Sequence, residues 1–571
     1  MKRTFLSAVA VALLLCSRAS AQDEMKPLIV VSLANYQEMI DDLDFVGQVS
    51  GTPDMGKGLE GLLSLVTQGQ GLVGLDKKKP WGMAASTDGV SFQLLGFLPI
   101  KELDKFVQAI GGVAGEPEDV GDDTWKVELQ GQALYLKQSG EWTFASLGTE
   151  FLQDLPKDPV KLLGGLEAKY DVAVQVSIQN IPEIFRQLAI EQVKIGLEQG
   201  FEGGGIPGLD ALPGASALPD LSALPQLDEK QQELARELAK QQMDAIAELL
   251  EDTDQITMGF KIDRESGKTL ADLIMTVVPE SKAAASLAQM SSGKTQYSGF
   301  LVKDSAASLN VNLTLSQDDI AGAKEAVATL RDQLKNLIKE RVPGGDEVHE
   351  VVNGFVDKIV DIGEKTVESG KIDAGMALVG KGPYTLVAGG AVADEKEVTK
   401  VIDEFIETLE TQVGFYGFEK NVATHKGVTF HRASVPPLPG EEGESLAKLL
   451  GDDIDLVVGV AEKRAYLAMG KDALELIKQA IDRSEADADK TVPPVQFTGS
   501  LAALINLMPQ GADADPTMAT MASSLEGTKD RIDLTVKPRE NGIEVHFEGE
   551  EAILKVIGTM ATQMGAALPQ F

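Results

Sequence analysis

The chain has 571 residues, of which 88 are acidic and 52 basic, for a formal charge of −36, and only 5% are aromatic. That length exceeds one ordinary core of about 100–200 residues, and the charge makes nucleic acid and anionic lipid poor partners. The scarcity of aromatics argues against a carbohydrate cleft and against an outer-membrane barrel with aromatic girdles, and the single cysteine, Cys16, rules out a disulfide framework.

The amino terminus sets the expected compartment. Lys2 and Arg3 precede an apolar run from Phe5 to Leu15, and Ala19-Ser20-Ala21 supplies a small-residue cleavage pattern before Gln22, the signature of an export signal. Cleavage after Ala21 would remove Cys16, together with Lys2, Arg3 and Arg18, and would move the formal charge to −39. Lipidation at Cys16 is the alternative, but acylation signals want a small residue where Leu15 stands. No later segment offers the roughly 18 apolar residues a membrane span requires, so no transmembrane anchor is expected in the mature chain.

Further along, Gly82-Met83-Ala84 opens an apolar stretch, and Leu103, Phe106, Val107 and Ile110 fall on one helical face. Trp142-Thr143-Phe144-Ala145-Ser146-Leu147-Gly148 and Val174-Gln175-Val176 read as strands. Gly203-Gly204-Gly205 then leads into three Ala-Leu-Pro repeats that contain Leu212-Pro213, Leu218-Pro219 and Leu224-Pro225, a proline-stiffened connector. Asp228 to Glu251 follows with helical spacing. These Leu-Pro residues are the candidate partner-binding arm, a decorated surface loop being the other reading. Arg264-Glu265-Ser266-Gly267 closes the series as hairpin-turn chemistry.

The same landmarks then return in the same order. Gly375-Met376-Ala377 is followed by a helical face of Val398, Val401, Ile402 and Phe405; next come Ala465-Tyr466-Leu467-Ala468-Met469-Gly470, Val495-Gln496-Phe497 and Arg539-Glu540-Asn541-Gly542. The spacing between matched landmarks places an insertion at His431 to Asp453 in the second copy, around Pro436-Pro437-Leu438-Pro439-Gly440. In the first copy the extra length falls at 200–251. Near the end, Ile553, Val556, Ile557, Met560 and Met564 mark one face of a packed helix. The predicted organisation is a signal peptide at 1–21, a first α+β repeat at 22–290 and a second at 291–571. Strand pairs joined by short turns predict an antiparallel sheet with helices packed on one face. The copies are expected to face each other across a groove.

Motifs for chemistry are sparse. Gly293-Lys294-Thr295 and Gly267-Lys268-Thr269 resemble the end of a phosphate loop, but the required upstream glycine is Ala288 in one case and Ile262 in the other. The four histidines are His349, His425, His431 and His546; none forms an HExxH pair. His425 and His431 lie in an alternating stretch, Ala423 to Ala433, that predicts one strand with both rings on one face, and a third zinc ligand is not specified. Acid clusters at Asp41, Asp42 and Asp44, at Asp452, Asp453 and Asp455, at Asp487 and Asp489, and at Asp513 and Asp515 lack the EF-hand pattern and leave weak divalent-cation binding open. There is no Gly-x-Ser-x-Gly elbow. No cofactor is expected.

With its tandem Gly-Met-Ala strands behind an export signal, the chain resembles a group of exported proteins common in planctomycete-type bacteria. The resemblance implies compartment and architecture and names no site residue. The expectation is a non-enzymatic protein of the periplasm or cell envelope, acting by binding or structural association, with an envelope protein as its partner. The alternative is an extracytoplasmic hydrolase with its site in the groove between the repeats.

Overall fold

The computed structural model describes residues 25–567, except 68, 130, 188–250, 342–345, 409, 412–416, 436–443, 445–446, 508–524 and 526. It is an α+β structure with antiparallel pairing, in two compact units. They divide at Val278/Pro279, not at the expected 290/291, and the stretch from Glu548 onward belongs to the first unit.

The first unit contains β1 (Lys26–Leu33), helices α1 (Tyr36–Ser50) and α2 (Met55–Val66), β2 (Trp81–Thr87), β3 (Phe92–Leu98), α3 (Leu103–Ala114), β4 (Glu118–Gly121), β5 (Thr124–Leu129), β6 (Gln132–Ser139), β7 (Trp142–Ser146), β8 (Val172–Ser177), β9 (Thr253–Asp263) and β10 (Lys268–Val277). Its strand order is β4-β5-β6-β7-β3-β2-β1-β8-β9-β10, antiparallel at every step. Helix α1 starts where the Asn35 side chain accepts the Glu38 N–H, and ends at left-handed Gly51.

The second unit contains α4 (Lys282–Gln289), β11 (Gly293–Lys294), β12 (Ser305–Thr314), α5 (Gln317–Arg341), α6 (Asp346–Glu368), β13 (Lys371–Val379), β14 (Thr385–Ala391), α7 (Glu395–Thr408), β15 (Phe418–His425), β16 (Val428–Val435), β17 (Ile454–Ala461), β18 (Arg464–Gly470), α8 (Ala473–Ala486), β19 (Thr491–Val492), β20 (Val495–Ser500), α9 (Leu501–Leu507), β21 (Arg531–Arg539) and β22 (Gly542–Gly549). The strand order is β15-β16-β17-β18-β14-β13-β12-β20-β21, again antiparallel. β22 follows β21 across Glu540-Asn541, where Asn541 is left-handed as a tight hairpin requires. The last helix, α10 (Glu551–Ala567), packs in the first unit, where Leu554 and Ile557 meet Val46 and Ile262.

The helices do not keep to one face of the sheet, which corrects the sequence expectation. In the first unit the 3-10 turns at 149–168 bury Leu152, Leu163 and Leu166 against Phe97 and Phe144, while α3 covers Leu136 and Val127 on the opposite face. In the second unit α8 covers Val457 and Ala468, and α6 with α7 covers Val458 and Val460 from the other side. The cause is visible in β17, Ile454-Asp455-Leu456-Val457-Val458-Gly459-Val460-Ala461: apolar residues of both parities ask for cover on both faces.

Candidate binding surface

Direct cross-strand partners share a face, and successive residues alternate between faces. Applied to β2, β1, β8, β9 and β10, the register gives three parallel rows on one side of the first unit's sheet. The middle row is Met83, Val31, Val174, Met258 and Leu273; the rows beside it are Ala85, Ile29, Val176, Ile256, Met275 and Trp81, Leu33, Val172, Phe260, Ala271. All fifteen side chains are apolar or aromatic. The opposite parity of β1, with Leu28, Val30 and Ser32, is buried.

None of the three rows, by contrast, is buried: four of their side chains are exposed and the other eleven are half-buried. Met83 is 40% exposed, Val172 36%, Met258 46% and Leu273 43%. Among the described residues, α3 shields the β5–β7 end and Phe260 is held by α1 and α10. The one polar atom in these side chains, the Trp81 indole Nε1, is enclosed and has no hydrogen-bond partner among the described residues. Isolated exposed apolar side chains need no explanation, but a contiguous group of them does.

The second unit carries a comparable face. Met376, Leu309, Phe497 and Leu534 form its middle row, flanked by Ala374, Val311, Val495, Val536 and by Leu378, Ala307, Gly499, Ile532. Met376 and Leu467, which share that face, are exposed.

The Gly-Met-Ala signature now has a physical meaning. A Cβ on Gly82 would lie 2.7 Å from Leu163 Cδ2, and one on Gly375 would lie 2.8 Å from Phe300 Cβ. Glycine lets a crossing segment touch the sheet, alanine is buried on the other side of the methionine, and the methionine between them faces out.

Charged chemistry gathers elsewhere. Asp42 on α1 is buried against Asp171, and Arg264, in the β9–β10 turn, reaches Glu38 at 2.7 Å, Asp41 at 3.0 Å and Asp42 at 3.2 Å. Asp171 accepts the Ile262 N–H at 2.6 Å. Burial, reinforced by the Asp171 charge, pushes the Asp42 carboxyl up to about 7; burial also raises Asp171. This cluster ties α1 to the sheet.

In the second unit a groove of about 560 Å³ runs between α6 and α7, lined by Glu350, Gly354, Phe355, Lys358, Glu404 and Phe405. Within it Lys358 meets Glu404 at 2.7 Å, and the Phe355 and Phe405 rings stack at 4.0 Å. It presents no nucleophile paired with a base.

The histidines are not brought together. His425 ends β15 and His431 lies in β16, with the turn Lys426-Gly427 between them, so the expected single strand is a hairpin. His425 pairs with Val428, which has the opposite parity to His431, and the two rings therefore face opposite sides of the sheet. His425 Nε2 sits 2.8 Å from Asp482, while burial lowers the pKa of His431. Asp487 and Asp489 lie at the end of α8, engaged with Lys490 and Lys294.

The signal residues Ala19, Ala21 and Gln22 and the arm residues Leu212, Pro213, Leu218, Pro219, Leu224 and Pro225 lie outside the described residues, as do Cys16, Pro436–Gly440, Asp513 and Asp515. The open rows were missed at the sequence level, although β1 carries the signal: Leu28-Ile29-Val30-Val31 is apolar at both parities.

No family and no curated protein sequence matches this chain. Among solved structures, crystal form I of TP0453 aligns over 47% of this chain and 98% of its own, at 10% identity and a TM-score of 0.22, a likeness too slight to carry an argument about fold or function.

Proposed function

We propose that this chain is an exported, non-enzymatic binding protein, built from two diverged copies of one sheet-and-helix unit, and that the open sheet face is its binding surface. The observation that carries the reading is the block of apolar rows across β2, β1, β8, β9 and β10, exposed at Met83, Val172, Met258 and Leu273. Keeping such a patch in water costs roughly 25 cal/mol per Å² that burial would recover, so a ligand that covers it gains directly. Duplication is supported by the two strand orders, which run in parallel from β4 to β9 and from β15 to β21, and by the repeated landmarks. Export is supported by the signal-like residues before Gln22.

The test is a titration with an uncharged, environment-sensitive apolar dye. The protein is expected to enhance its fluorescence saturably, and Met258→Asp, an exposed position, is expected to weaken binding about tenfold, since a charge on the face must be desolvated by any apolar ligand. Equal dye binding by Met258→Asp and by the parent protein would refute this surface.

A further inference from the structure

We infer that the ligand of the open face is the single hydrocarbon chain of an amphiphile whose head is uncharged or zwitterionic. This rests on the binding reading above and specifies its ligand.

Length is the first argument. The middle row crosses five strands, and four spacings of about 4.8 Å give a track of roughly 19 Å. A bilayer's hydrocarbon core of about 30 Å is two acyl chains end to end, so one chain reaches about 15 Å. The row Met83, Val31, Val174, Met258, Leu273 therefore holds one such chain along its length.

Hydrogen bonding is the second. β2, β1, β8 and β9 are each paired on both sides, so their backbone groups are committed and offer no edge to a peptide strand. The side chains supply no accessible donor or acceptor either, the Trp81 indole being enclosed. An extended peptide laid here would leave its own N–H and C=O groups unpaired. A hydrocarbon chain has none.

Composition and charge complete the case. Met83 and Met258 in the middle row, with Met275 beside it, are unbranched and polarizable, and such side chains adapt to ligands of varying shape. The formal charge of −36 repels anionic heads and equally a second copy of this chain.

The experiment uses palmitoyl-lysophosphatidylcholine below its micelle concentration, titrated into the protein by calorimetry and in competition with the apolar dye. Saturable binding that displaces the dye is expected. Hexanoyl-lysophosphatidylcholine, with the same head, is expected to bind at least tenfold more weakly, and palmitoyl-lysophosphatidylglycerol more weakly with recovery in salt. Met258→Asp and Leu273→Asp, both at exposed positions, should each lose at least tenfold while keeping the parent circular dichroism, and Met258→Leu should retain binding. If the hexanoyl and palmitoyl lipids bind alike, or if both Asp variants bind the palmitoyl lipid as the parent does, the inference is overturned. If the Asp variants lose the dye but the palmitoyl lipid never displaces it, the acyl-chain ligand is refuted and the binding surface stands, with an amphipathic helix the occupant to pursue. If dye binding is indifferent to the Asp variants, both readings fail.

Discussion

Asp42 shows how a single residue can set a pH dependence. Its carboxyl is buried beside Asp171 on one side and faces Arg264 and Glu38 on the other, and its folded pKa of about 7 stands well above the ordinary 3.8. Between those values the folded protein holds a proton that the unfolded chain has released, so this group's contribution to stability is greatest in acid and declines as pH rises through this window. Asp171, raised by burial, acts in the same direction. Asp42→Asn removes the titrating group; its stability should lose most of that pH slope and exceed the parent's at about pH 8 by on the order of 2 kcal/mol, with a correspondingly higher thermal midpoint. Thermal melts across the acid-to-neutral range check this, and a variant slope equal to the parent's would contradict it. Only part of the cluster was legible in sequence. Asp42 stood out as one of several neighbouring acids and Arg264 as a turn residue, but nothing local joins them to Asp171, because the three meet through strands β8 and β9 and helix α1.

The elements were easier to read than their destinations. The hairpin at Arg264–Gly267, the strands at Gly82 and Gly375 and the helices at Leu103 and Val398 stand where periodicity and turn chemistry place them. The hairpin at Lys426-Gly427 was missed because the alternation continues through it on both sides. The closing helix α10 was legible as a helix but not as part of the first unit, since an apolar stripe does not say which surface it fits. That fit is steric. A Cβ on Gly558 would lie 2.4 Å from Ser50 Oγ and 3.2 Å from Val46 Cγ1, so α10 approaches α1 closely only because this position is glycine. Gly558→Val should therefore destabilise the first unit by about 1–3 kcal/mol through overpacking, read as a lower urea midpoint with faster amide exchange in α1. An unchanged midpoint would mean that α10 does not depend on this contact.

At the scale of the whole chain, each unit's sheet is apolar on both parities but fully covered on neither unit's Met83- or Met376-bearing side. Composition could not reveal this, because covered and uncovered apolar positions use the same residues; only the register and the positions of the helices separate Val30 from Val31. The strong negative charge lends the exposed face its solubility and discourages association of copies. The central claim is that ligand settles on the first unit's open rows, and carbene footprinting at residue resolution tests it most directly. With saturating palmitoyl-lysophosphatidylcholine, labelling at Met83, Val172, Met258 and Leu273 should fall together, while Val120, exposed on β4 at the far edge of the same sheet, stays labelled. Bound ligand with undiminished labelling at those four residues would contradict the account.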